Sequence, residues 1–170
     1  MADFFQRTEK AMGMSDATWQ RHANPWSGWT RIPILPLLAL AIWSRDWIGW
    51  WCLAPTIALI AWTFVNPRAF PPPPSTDNWM SQGVLGERVF LARKTEPIPH
   101  HHANWGIGLS VVAALGLPPL VYGLWALEVW PALLGLTLTV GAKMWFLDRM
   151  VWLLADTTRH PQASSLHPPA

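Results

Sequence analysis

The chain has one cysteine in 170 residues, so it cannot close a disulfide within itself. That excludes the disulfide-stapled scaffolds of small secreted domains. Tyrosine is nearly absent, at one residue. Charge is scarce: Asp, Glu, Lys and Arg make up 13% of the chain, against about 25% in ordinary soluble domains. So few charges exclude a disordered chain and a charged coiled coil. A formal net charge of +2 offers no basic footprint for a nucleic acid. No phosphate-cradling glycine loop, dinucleotide fingerprint or nucleophile elbow occurs.

What is present is apolar: 51% of residues are hydrophobic, with 14 Trp and 17 Pro. Four apolar stretches dominate. The first runs from about Trp26 to Trp43, with Arg31 inside it. The second, Trp47 to Val65, carries no charge in 19 residues. The third, Trp105 to Leu127, is also uncharged. The fourth runs from Trp130 to about Ala155 and holds Lys143, Asp148 and Arg149 in its second half. A helix needs about 20 mainly apolar residues to cross ~30 Å of hydrocarbon. Mean hydropathy is only +0.18, because polar ends and a polar middle segment dilute the spans.

Short connections, Ser44-Arg45-Asp46 and the turn at Glu128, force each pair of neighbours antiparallel. The expected fold is an all-α membrane protein of four transmembrane helices in two antiparallel hairpins. It divides into a cytoplasmic amphipathic segment (1–25), a first hairpin (26–65), a cytoplasmic loop (66–104), a second hairpin (105–155) and a flexible tail (156–170). The first 25 residues lack an apolar core of secretory length, so the first span is expected to serve as the insertion signal. Ser15 is the expected cap of a short helix before it.

Of 12 Lys and Arg, only Arg45 falls at a tight turn. Basic residues near span ends are retained in the cytoplasm. The expectation is an inner (cytoplasmic) membrane protein with both termini and the middle loop inside. The tryptophans form two belts. Trp43, Trp47, Trp50, Trp51, Trp125 and Trp130 cluster at the outer turns; Trp26, Trp29, Trp62, Trp105, Trp145 and Trp152 fall near the inner ends. Indole rings favour the headgroup level.

In the loop, Pro71 to Pro74 should form a stiff extended segment. Ser75-Thr76-Asp77 is then expected to cap an amphipathic helix, Asn78 to about Arg93. It either lies in the cytoplasmic interface or packs on the end of the bundle. A faint repeat joins His22-Ala23-Asn24 to His102-Ala103-Asn104, 80 residues later.

Chemistry concentrates at the cytoplasmic mouth. His22, His100 and His102 are candidate metal ligands, since neutral imidazole is a common one. His100 and His102 could share an ion only on extended backbone. The plainer alternative is a set of polar interface residues. Arg31 and Lys143 lie at similar depth in the inner leaflet, and charges there are functional candidates. They would hold an anionic lipid headgroup, with Asp148 neutralising one of them, or else snorkel to the surface. Asn24 and Asn104 flank this region. No Asp, Glu or His lies mid-span, so no ion relay is expected.

Three strings carry a resemblance: Arg21-His-Ala-Asn-Pro-Trp-Ser-Gly-Trp-Thr-Arg31, Ser75-Thr-Asp-Asn-Trp-Met-Ser-Gln-Gly-Val-Leu-Gly-Glu-Arg-Val-Phe90 and Phe146-Leu-Asp-Arg-Met-Val-Trp152. Together they resemble a family of small prokaryotic integral-membrane proteins of unknown function. The resemblance implies a membrane location and transfers no activity. The function expected from the residues is a non-enzymatic scaffold, accessory subunit or anionic-lipid-binding module. It would act with the bilayer, an anionic lipid, or a membrane protein partner or second copy, and not with nucleic acid. The rivals are a small enzyme or redox protein with a His-bound metal or haem, and an oligomeric transporter of lipid or small solutes.

Overall fold

The structure, a computed structural model, describes residues 15–159. The expected tail from 160 onward and the chain before Ser15 lie outside the described residues, as do His160 and His167. The described chain is helical and contains no strand.

Local chemistry sets each helix start. In α1 (Asp16–His22), the Ser15 side chain accepts from the Thr18 amide. Asp16 lies in the first turn and Arg21 in the last, each matching the helix dipole. In α2 (Pro25–Arg31), Asn24 caps and Pro25 occupies the first turn, where its missing amide proton costs nothing. Then come α3 (Ile34–Trp43), the short α4 (Arg45–Ile48) and a 3₁₀ turn, Gly49–Cys52. Helix α5 runs Leu53–Ala69. After the prolines, Asn78 caps α6 (Trp79–Leu91) by accepting from the Ser81 amide. Helices α7 (His100–Leu115) and α8 (Leu117–Ala126) are nearly continuous, with Pro118 and Pro119 in the first turn of α8. Helix α9 runs Val129–Arg159.

Two boundaries differ from expectation. The second apolar helix begins at Leu53, not Trp47. Gly49 has φ +56°, which glycine adopts readily and which breaks the helical path. Trp50 and Trp51 sit on that turn, 85% and 80% exposed. At the other end, α9 extends to Arg159, four residues into the segment expected to be tail.

Three helical stretches are long and apolar enough to cross a membrane: Pro25–Ala69, His100–Ala126 and Val129–Arg159. In the most apolar window of the first, only 6% of residues are buried by protein. Apolar surface on that scale is covered by lipid, and the chain is a membrane protein. Of the expected belt residues, Trp26, Trp47, Trp125, Trp130 and Trp152 are exposed, whereas Trp43 and Trp62 are half-buried.

Helices α6, α7 and α8 all pack on α9. The contacts of the α7–α8 run with α9 proceed in opposite order along the two. Gly123 meets Ala132, Gly116 meets Gly135 and Thr139, and His102 meets Asp156. Small residues at these crossings let the backbones approach. In the first half, α3 packs on α5, and the Asn24 side chain donates to the Pro71 carbonyl at 3.0 Å. Arg45 donates to the Trp125 carbonyl at 2.8 Å, so the turns of the two halves adjoin.

The apolar face of α6 is turned to protein. Met80, Val84 and Phe90 are buried. Phe90 packs with Leu109, Phe146, Met150 and Leu153, meeting the Phe146 ring edge-on at 5.4 Å between centroids. Edge-to-face pairs of this kind contribute about 0.5–1.5 kcal/mol beyond their burial. A Cβ on Gly86 would overlap the Met150 carbonyl oxygen, so glycine is what allows α6 onto α9.

Candidate functional site

The end away from the turns holds a directional hydrogen-bond chain. His22 closes α1 and is buried; Arg31 closes α2. An Arg31 terminal nitrogen lies 3.0 Å from His22 Nε2. Guanidinium has no acceptor, so Arg31 donates and the imidazole proton sits on Nδ1. That nitrogen donates to Ser27 Oγ at 2.7 Å. Ser27 donates to Asn66 Oδ1 at 2.8 Å, and Asn66 Nδ2 donates to Thr30 Oγ1 at 2.8 Å. Thr30 ends the chain on the Trp26 carbonyl at 2.6 Å. Ser27 and Asn66 are fully buried, and each is satisfied, as buried polar groups must be. The Ser27 proton points to Asn66, away from His22. His22 therefore does not act as a base for Ser27, and the pair is no nucleophilic dyad.

Burial first, and then the Arg31 charge, lower the His22 imidazole from its ordinary 6.5 to about 4. It is neutral at physiological pH, in agreement with the hydrogen bonding. Beside it, Lys143 of α9 pairs with Glu87 of α6 at 2.7 Å. Burial alone pushes the Glu87 carboxyl up. The bonded Lys143 ammonium, with His22 and Arg31 beyond it, outweighs this and leaves the carboxyl below its ordinary 4.5.

The structure thus brings Arg31, Lys143 and His22 into one electrostatic neighbourhood, organised by Glu87. Sequence reasoning missed Glu87. It lies on the polar side of an amphipathic helix, and its partner is 56 residues away. Asp148 does not neutralise Lys143; its carboxylate accepts from the Trp79 indole at 3.1 Å. Asn24 serves the backbone, capping α2 and holding Pro71. Asn104 is exposed on α7. The repeat is therefore unequal in structure: Pro25 makes Asn24 a cap, whereas Asn104 lies inside a helix.

The histidines separate. Both ring nitrogens of His22 are committed to Ser27 and Arg31. Residues 100–102 form the first turn of α7, not the extended backbone that His100 and His102 would need to face one ion. Instead, His102 Nε2 lies 2.8 Å from Asp156 Oδ2. The His101 and His102 rings lie 4.1 Å apart between centroids, tilted by 39°. His101, His102 and Asp156 place one ligating atom each within 4.8 Å of one another.

Comparison with curated proteins and with solved structures finds no match. A family model covers nearly the whole chain, spanning every helix described above. The chain belongs to a family of unknown function, DUF6653, whose model matches residues 4–168.

Proposed function

We propose that this protein is a four-span inner-membrane module that holds the anionic headgroup of a phospholipid at its cytoplasmic face. One observation carries the reading. Arg31 donates to a neutral imidazole and makes no ion pair among the described residues. The adjacent Lys143 and Glu87 neutralise each other. One positive charge is left, half-buried, on a guanidinium with donors beyond the one that His22 receives. A partly desolvated charge without a partner favours an anion. The planar fork of arginine matches phosphate oxygens two at a time, and basic pockets between spans bind phospholipid headgroups.

Chain length supports four crossings. The 45-residue run Pro25–Ala69 would extend ~68 Å as one straight helix, against ~30 Å of hydrocarbon. Its return on itself, and the opposed order of contacts along α7–α8 and α9, support two antiparallel hairpins. The basic residues, all but Arg45 on one side, support termini in the cytoplasm. Helix α6 then lies at the cytoplasmic interface, apolar face on α9 and Arg88 outward. Its serine donates to Asn66 and is not activated, which favours a site that binds and positions. A scaffold or accessory subunit fits this better than an enzyme.

Native mass spectrometry from mild detergent tests the proposal. The expected wild-type mass exceeds the 19.1 kDa polypeptide by one anionic phospholipid, and Arg31→Gln strips the adduct. A bare wild-type polypeptide, or equal retention by Arg31→Gln, overturns it.

A further inference from the structure

We propose that His101, His102 and Asp156 bind a divalent transition-metal ion of the zinc class where the first turn of α7 meets the last turns of α9. Two imidazole nitrogens with one carboxylate suit zinc and its neighbours; calcium and magnesium favour all-oxygen shells. The three ligating atoms lie within 4.8 Å of one another. Around zinc, at ~2.0–2.1 Å from each ligand, tetrahedral neighbours stand ~3.3 Å apart. Side-chain rotation closes that difference.

The set divides into a fixed member and two that can move. His102 is 1% exposed and is held between α7 and α9. His101 is exposed, and the Asp156 side chain is 43% exposed. An ion thus enters from the open side, and water completes its shell, as in three-ligand sites with an open position.

Nε2 of His102 faces Asp156 and is the ligating atom; the proton then sits on Nδ1, which is buried and has no hydrogen-bond partner among the described residues. The site is separate from Arg31, and neither depends on the other.

The test uses the full-length protein in mild detergent, stripped with a chelator and titrated calorimetrically with zinc chloride. Cobalt(II) absorption gives an independent readout of the ligand field. Expected are one ion per chain and visible cobalt bands of four-coordinate intensity. His101→Ala and Asp156→Asn should each weaken zinc at least about tenfold, with unchanged circular dichroism. His100→Ala, one residue away on an exposed side chain, should bind as wild type. Absence of saturable zinc binding overturns the site. So does binding that His101→Ala and Asp156→Asn leave unchanged, because the ion then sits on other histidines. If Asp156→Asn fails to fold, His101→Ala decides alone.

Discussion

His22 accepts a hydrogen bond from Arg31, nine residues on, at 3.0 Å. The contact fixes the tautomer of a buried imidazole and thereby the direction of every bond behind it, through Ser27, Asn66 and Thr30 to a backbone carbonyl. It also keeps Arg31 beside a group that cannot neutralise it. One pair thus ties the joint between α1, α2 and α5 and leaves the Arg31 charge without an ion pair among the described residues.

Stability should fall with acid in a window set by His22. Its folded value is about 4, below the ordinary 6.5. Between these values the unfolded chain takes up a proton that the folded chain refuses. The contribution is full above pH 6.5 and is lost as pH falls toward 4, by about 3 kcal/mol in all. Glu87, also lowered, gives way only below its ordinary 4.5, so the upper part of the window belongs to His22. Thermal melts in detergent from pH 7 downward should show the slope, and His22→Gln should flatten it. An identical slope in His22→Gln would place the acid sensitivity elsewhere.

Asn66 bridges Ser27 and Thr30 with complete burial. Asn66→Leu removes an acceptor and a donor together, and should cost about 2–4 kcal/mol, since each stranded buried group costs about 1–3. Ser27→Ala removes one of the stranded groups. In the double variant the two costs should therefore add to less than their sum, with a coupling of about 1 kcal/mol or more. Strict additivity in denaturation would show that the two side chains do not share a bond.

The close crossing of α6 and α9 makes opposite forecasts for two glycines. A Cβ at Gly86 overlaps the Met150 carbonyl, so Gly86→Ala should destabilise by about 1–3 kcal/mol or prevent folding. A Cβ at Gly141 meets nothing within 4 Å, so Gly141→Ala should be neutral or stabilise by up to about 1 kcal/mol through helix propensity. Melting temperatures in one detergent compare them directly. Equal losses would mean that α6 does not pack on α9 as described.

The apolar helices were legible in the sequence because runs without charge have few other uses, and the start of α1 was legible where Ser15 announces a cap; the cap of α6 is Asn78, one residue beyond the expected Ser75-Thr76-Asp77. The second apolar helix was misplaced because Trp47–Trp51 reads as continuous hydropathy, while the conformation of Gly49 decides the path. At the site, Arg31, Lys143 and His22 stood out as polar groups in apolar surroundings. Their organiser, Glu87, did not, because an acidic residue on an amphipathic helix looks solvated until another helix is laid against it. His101 was passed over for a similar reason. An extended backbone would align His100 with His102, but Pro99 begins a helix whose turn sets His101 beside His102.

Glu87 gives the proposed lipid site a test of sign. It neutralises Lys143 and lies within electrostatic reach of Arg31. Glu87→Gln frees the Lys143 charge and removes the opposing one, so an anionic headgroup should bind more tightly. At an effective dielectric of ~20 a nearby unit charge is worth on the order of 1–4 kcal/mol, so the gain should be roughly tenfold or more. Lys143→Gln has the opposite effect: the stranded carboxylate turns to Arg31, and affinity should fall by a similar factor. Arg31→Lys should retain part of the binding, as a point charge without the fork, and Arg31→Gln none. Titration with vesicles of anionic against zwitterionic lipid measures all four. Non-specific attraction to basic protein would make Lys143→Gln and Arg31→Gln equally weak in proportion to net charge. Only a site built on Arg31 separates them, with Lys143→Gln rescued by adding Glu87→Gln and Arg31→Gln not.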